Sequence, residues 1–106
     1  MDRSDEIYLV KAVRVKDDLG IFHQTVQSRR VFAQVDSVTR AEFFEAGRNG
    51  LNPEFKFTIF AGDYEDEDTI LYKNRAYGVY RTYLARNDEL ELYAERKGGA
   101  TGGSSD

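Results

Sequence analysis

Cysteine and tryptophan are missing from this chain, and histidine, proline and methionine occur once each. Without cysteine there is neither a disulfide framework nor a thiolate metal site, so the fold has to rest on packing and backbone pairing. One histidine, His23, without cysteine falls short of a hydrolytic triad or a typical His-based zinc site, and reads as a strand histidine with surface or structural contacts. No apolar run approaches the roughly 20 residues of a membrane span. The start, Met1-Asp2-Arg3-Ser4-Asp5-Glu6, lacks the basic opening and apolar run of a secretory signal. A soluble protein made in the cytoplasm is expected. An excess of basic residues is also lacking: 15 Lys and Arg face 19 Asp and Glu, a net charge of −4. Conventional DNA binders neutralise phosphates with a basic face, which leaves only a local patch such as Arg29-Arg30 for that purpose.

What is present is enough for one core. The 106 residues are 41% hydrophobic, and the 13% aromatic share consists of seven Tyr and seven Phe. A chain of this size folds as one domain, and its aromatics suit a half-buried pleated surface.

Alternation predicts strands along most of the length. In Ile7 to Val15, Ile7, Leu9, Val13 and Val15 share one parity with Lys11 as the exception, which predicts one apolar face. Asp17-Asp18-Leu19-Gly20 punctuates it as a turn. The β signal resumes from Ile21 to Val38; there Gln27-Ser28-Arg29-Arg30 fits either a turn or an exposed part of one long strand. Phe55 to Phe60 places Phe55, Phe57 and Ile59 on a face. Thr69 to Tyr72, Tyr77 to Tyr83 and Leu90 to Ala94 follow, joined by tight turns at Lys73-Asn74 and Asn87-Asp88, where Asn tolerates positive φ. Leu90, Leu92 and Ala94 are expected to face in.

The one helix candidate opens at Thr39-Arg40-Ala41-Glu42. This fits a capping box, with the Thr39 hydroxyl accepting from the Glu42 N–H and Glu42 reaching back to the N–H of Thr39. Phe43, Phe44 and Ala46 form a short apolar stripe, and Gly47 or Gly50 closes the helix. About two turns are too few to stand alone, so the helix must dock on the barrel. Gly98 to Asp106 is a Gly/Ser-rich tail with nothing to bury, expected to be disordered. Antiparallel strands in so short a chain must close or stack, as a small barrel or a compact sandwich; the predicted fold is mainly β, a small antiparallel barrel of about six strands with one short inserted helix, spanning residues 1–97.

Chemistry-bearing patterns are sparse. Asp63-Tyr64-Glu65-Asp66-Glu67-Asp68 departs from an EF-hand, since the sixth position is Asp68 rather than Gly and the twelfth is Asn74 rather than Glu; it reads as a solvated acidic loop. Carboxylates of this kind facing a channel would repel DNA and keep it sliding. Gly47-Arg48-Asn49-Gly50 lacks the Lys-Ser/Thr ending of a phosphate loop and reads as a helix stop plus turn. No carboxylate pair stands out for acid–base work. Tyr72, Tyr77, Tyr80, Tyr83 and Tyr93 are too many for so small a core, so some are expected at a surface that meets another subunit.

The run from Asp36 to Glu54 (DSVTRAEFFEAGRNGLNPE) resembles the middle of phage head-closure proteins, also called head–tail adaptor, joining or stopper proteins. The stretch Ile70 to Tyr83 (ILYKNRAYGVYRTY), followed by Leu90-Glu91-Leu92-Tyr93, is similar to that family's C-terminal hairpins. Together the likeness covers nearly everything from Ile7 to Lys97; Asn74 stands where the family often has Gly, and the tail lies outside it. The resemblance implies a virion protein: a ring below the portal and its adaptor that closes the DNA-filled head and docks the tail. It implies a monomer when free and a homo-oligomeric ring in the particle. The partners would be the portal–adaptor ring, tail proteins, and double-stranded DNA passing through the channel without sequence-specific binding, with no membrane involved. It implies no catalytic residue, cofactor or metal, and assembly in the host cytoplasm. Arg40, Phe44, Arg48, Asn49, Asn52 and Glu54, from the helix and its flanking loop, are the candidate ring-interface or channel-loop residues, with Tyr80 and Tyr83 from the Tyr-rich strand. The competing readings are an OB- or SH3-like barrel that binds nucleic acid or a protein, and, last, an enzyme.

Overall fold

A computed structural model describes residues 4–97; the predicted tail, Gly98 onward, lies outside the described residues. Strand β1 runs over Asp5–Lys16, β2 over Phe22–Ser37, helix α1 over Arg40–Gly47, β3 over Pro53–Phe60, β4 over Thr69–Tyr72, β5 over Arg75–Leu84 and β6 over Glu89–Arg96, with a single 3₁₀ turn at Ala61–Asp63. All pairings are antiparallel, and the strands close in the order β1-β2-β3-β6-β5-β4. Gln27 to Arg30 lies inside β2 and is not a turn.

The inward rows are those the alternation marks. Ile7 and Leu9 from β1, Val31 and Ala33 from β2, Phe57 and Ile59 from β3, Ile70 from β4 and Leu92 and Ala94 from β6 are buried together. Phe55, Phe57, Tyr72 and Tyr77 meet edge to face with ring centroids 5.5 to 5.9 Å apart, the arrangement their quadrupoles favour. Tyr72 and Tyr77 therefore belong to the core, Tyr80 and Tyr93 are half-buried, and Tyr83 is exposed.

Two tight turns depend on positive φ. Lys73 and Asn74 have φ of 51° and 64°, the pairing that a two-residue type I′ hairpin requires. Asn87 and Asp88 take φ of 60° and 58° before the Ala85 N–H closes on the Glu89 carbonyl at 2.7 Å.

The barrel does not use all of its longest hairpin. β1 and β2 pair continuously from Asp5↔Ala33 to Lys16↔Phe22, but β1 meets β4 only from Tyr8 to Val10, and β2 meets β3 only from Gln34 to Ser37. Beyond Val10 and Ser28 the pair stands alone as an arm. Six residue pairs at 3.3–3.4 Å each make it about 20 Å long. The radius of gyration, 15.2 Å, exceeds the roughly 13 Å of a compact chain of this length for that reason. Val13 and Val15 share the parity of the core residues, yet nothing in the barrel covers Val15. The apolar face predicted for the whole of β1 is a core face only up to Leu9.

Candidate interaction surface

Three features dominate the surface: the arm, the loop across one barrel mouth, and the flank where α1 lies.

The arm's tip is organised by Asp17. Its carboxylate accepts from the Leu19 and Ile21 N–H groups, both at 2.9 Å, and meets His23 Nε2 at 2.6 Å. The His23 contact, then the Ile21 N–H, holds the Asp17 carboxyl below its ordinary range. The two faces of the arm differ. Lys11, Val13 and Val15 continue the barrel's inner row, and Lys11 Nζ donates to the Glu65 carbonyl at 2.9 Å. Ala12, Arg14 and Lys16, paired with Val26, Gln24 and Phe22, continue the outer row. There the Arg14 guanidinium sits 4.4 Å from the Phe22 ring centroid and Lys16 Nζ sits 5.9 Å from it. Val26 is 67% exposed and Leu19, at the tip, 82%. Exposed apolar side chains gathered on one projecting element mark an interaction site.

The loop from Ala61 to Asp68 passes from β3 to β4, which stand across the barrel from each other, and so crosses the mouth beside the arm. Arg29, which shares the inward parity of Leu9 and Val31, anchors it. Its Nη2 and Nε donate to Glu67 Oε2 at 2.9 and 3.2 Å, and Nη2 also donates to the Asp63 carbonyl. The Glu65 N–H donates to Glu67 Oε1 at 2.8 Å, and the Tyr64 hydroxyl donates to the Glu67 carbonyl at 2.7 Å. Glu67 is 2% exposed. The prediction of a solvated acidic loop is corrected here: one of its five carboxylates is a buried clasp, and Arg29 is its counter-ion rather than half of a free basic patch. Burial pushes the Glu67 carboxyl up, but the Glu65 N–H and Arg29 outweigh it and hold it below its ordinary value. Among the described residues no group of three or more His, Asp or Glu side chains is placed to hold one metal ion.

On the flank, the Thr39 hydroxyl accepts from the Glu42 N–H at 3.1 Å, as predicted. The return half of the capping box is replaced. A bulge in β5 between Val79 and Arg81 sets two residues against Tyr93 of β6, which turns Tyr80 and Arg81 toward the same side. Both reach Glu42: the Tyr80 hydroxyl donates to Oε2 and Arg81 Nη2 to Oε1, each at 2.5 Å. Arg81 lies 3.9 Å over the Tyr93 ring, and the Tyr93 hydroxyl donates to Glu91 Oε1 at 2.6 Å. Arg81 above all, with help from Tyr80 and against burial, keeps the Glu42 carboxyl below its ordinary range. Burial, then Glu42, raises the Tyr80 hydroxyl; burial, then Glu91, pushes Tyr93 up to about 12. The helix thus docks through Ala46 and Glu42. The expected stripe of Phe43, Phe44 and Ala46 does not dock as a unit, since Phe43 and Phe44 stay exposed with their rings edge to face. Gly50, at φ 79°, takes the left-handed position after the helix, whereas Gly47 is its last residue.

The candidate residues fall in different places. Arg40 and Phe44 are exposed on α1, and Arg48 pairs with Glu45 at 3.2 Å. Asn49 and Tyr80 are brought together, with Glu42, Ala46, Leu51 and Arg81, around a shallow cleft of about 350 Å³. The Asn52 N–H donates to Glu95 Oε1 at 2.9 Å. Glu54 lies apart, beside Phe55, Tyr72 and Tyr77 at the other barrel mouth. Tyr83 sits further along β5, opposite Glu91. The arm was absent from the candidates, because its alternation is the same as that of a barrel strand. Its one sequence signal is length: Phe22–Ser37 is 16 residues, far more than a small barrel wall uses.

A scan against protein-family models matches none of them, and no curated protein matches the chain. Among the described residues no helix is long and apolar enough to cross a membrane.

Proposed function

We propose that this protein is a structural subunit of a tailed phage or prophage particle, one of a ring at the head–tail interface that closes the DNA-filled head and docks the tail. The observation that carries this reading is the arm. An isolated two-stranded ribbon is marginally stable in water, so a 20 Å hairpin with Val15, Leu19, Phe22 and Val26 uncovered makes sense when a neighbouring molecule covers it. The likeness of Asp36–Glu54 and of the β4–β5–β6 hairpins to head-closure proteins supplies the kind of neighbour. The titratable clusters also support a scaffold: Glu42 and Glu67 are engaged by Arg81 and Arg29, and His23 by Asp17. In such a ring each copy presents one surface to the next and rotation closes the set.

Sizing chromatography of the protein alone, then with portal–adaptor complexes, tests the proposal. It predicts a monomer alone at the micromolar concentrations of the column, and co-elution with the complexes. Failure to bind complexes from any candidate parent phage contradicts it. Nucleic-acid binding is the second reading, favoured by Arg14, Lys16 and Arg30 beside Phe22 and Phe32 on one face. DNA retention by the purified protein that falls steeply with salt would establish it.

A further inference from the structure

The arm's outer face carries cations that this molecule does not neutralise. Among the described residues neither Arg14 nor Lys16 has an ion-pair partner; their charges rest on the Phe22 ring. The loop across the barrel mouth has the opposite surplus. Arg29 answers Glu67, and Lys11 and Lys97 reach the Glu65 carbonyl and the Thr69 hydroxyl, but among the described residues the carboxylates of Glu65, Asp66 and Asp68 form no ion pair. Apolar groups accompany both surpluses. Phe22 and Val26 flank the cations, and Phe60 and Leu84, at the ends of β3 and β5 at the loop's end of the barrel, are exposed.

These surfaces complement each other, yet they do not meet within one copy. Alternation along β1 turns Arg14 and Lys16 away from the mouth, while Lys11 on the opposite face is the residue that reaches the loop. Phe60 and Leu84 lie on the β3–β6–β5 side, across the barrel from β1. We infer that the arm of one copy lies with its outer face on the acidic mouth of a second copy, Arg14 and Lys16 against Glu65 and Asp68, and Phe22 and Val26 against Phe60 and Leu84. The arm's outer face and the mouth are two different surfaces, so a head-to-tail contact between them can propagate, as a ring contact must. The inference deepens the ring reading and rests on it in taking a second copy as the occupant. Nucleic acid fits this surface less well. Arg30, the third cation of the face, is paired with Glu6 at 3.1 Å, and the carboxylates of the mouth stand at the same end, where they repel phosphates.

A charge-exchange set tests this by sedimentation velocity, from micromolar to millimolar protein and at low and high salt. Wild-type protein is expected to associate weakly at the upper concentrations and to dissociate at high salt. Arg14→Glu/Lys16→Glu carries two acidic surfaces, and Glu65→Lys/Asp68→Lys carries two basic ones. Each is expected to stay monomeric alone at the upper concentrations. Their mixture, and the protein bearing all four substitutions, are expected to regain association. Far-UV circular dichroism and melting confirm that each variant is folded, and Phe22→Ser/Val26→Ser, which leaves the charges in place, should also stay monomeric. Wild-type-like association of either charge variant alone overturns the inference, as does a wild-type protein that stays monomeric throughout. An arm variant not rescued by its counterpart overturns it too, and so does salt-sensitive DNA binding abolished by Arg14→Glu/Lys16→Glu. If the exchange succeeds and portal–adaptor complexes are never bound, the contact between copies stands and the connector reading fails.

Discussion

Arg29 and Glu67 show how one buried pair holds a segment that has little else to hold it. The Glu67 side chain is 3% exposed and that of Arg29 36%. Removing the cation leaves a buried carboxylate with only backbone N–H support. Breaking a fully buried pair costs about 3–5 kcal/mol, and discounting for the half-open guanidinium gives about 2 kcal/mol for Arg29→Ala. Urea denaturation checks this; an unchanged midpoint would show that the loop is held otherwise. The same groups set the response to acid. Glu67 and Glu42 both have folded-state pKa values lowered from 4.5, so folding gains from their ionisation above the unfolded value and loses that gain as pH falls through the folded one. Stability should be level above about pH 5 and fall toward lower pH, and Glu67→Gln should make that fall shallower while lowering the neutral-pH plateau. An acid limb of the same steepness in the variant would assign the loss to other carboxylates.

At the scale of elements, the Lys73-Asn74 turn has the backbone of an Asn-Gly hairpin without its sequence. Lys73 at φ 51° bears a strain that Asn or Gly avoids. Lys73→Asn/Asn74→Gly should raise stability by about 0.5–1 kcal/mol in thermal unfolding; a decrease would mean that the Lys73 ammonium over Tyr72, 5.3 Å from the ring centroid, matters more than the turn. Six strands, the helix and both tight turns were legible in the sequence, because a half-buried strand alternates and a positive-φ turn selects Asn. The bulge at Tyr80 was not: no residue type marks it, and alternation through Tyr77, Val79, Arg81 and Tyr83 runs unbroken across a point where the register shifts. Glu42 was placed correctly at the helix start, but a capping carboxylate and one that ties the helix to a barrel wall look alike until the bulge turns Tyr80 and Arg81 toward it. Asn49 and Tyr80 came together at one cleft; Glu54 and Tyr83 did not, since position along a strand says nothing of which barrel wall the strand joins.

For the molecule as a whole, the closed barrel leaves few unpaired strand edges, and the arm is where open edges and exposed apolar side chains occur together. β1 beyond Val10 and β2 before Gln34 lack a second neighbour, and closure protects only the residues inside it. Barrel and arm are therefore expected to separate in function: one sets stability, the other meets partners. Replacing 12–26 by Asn-Gly joins Lys11 to Gln27, which face each other in the hairpin as a hydrogen-bonded pair suited to a two-residue turn, and removes no buried residue. The shortened protein should keep its cooperative melting, since the core cluster is untouched.

The binding of that shortened protein to portal–adaptor complexes, set against wild type in sedimentation velocity, tests most directly whether this barrel works through its projecting surfaces. The prediction is that wild type sediments with the complexes and the folded, armless protein stays behind; armless protein bound as tightly as wild type would contradict it.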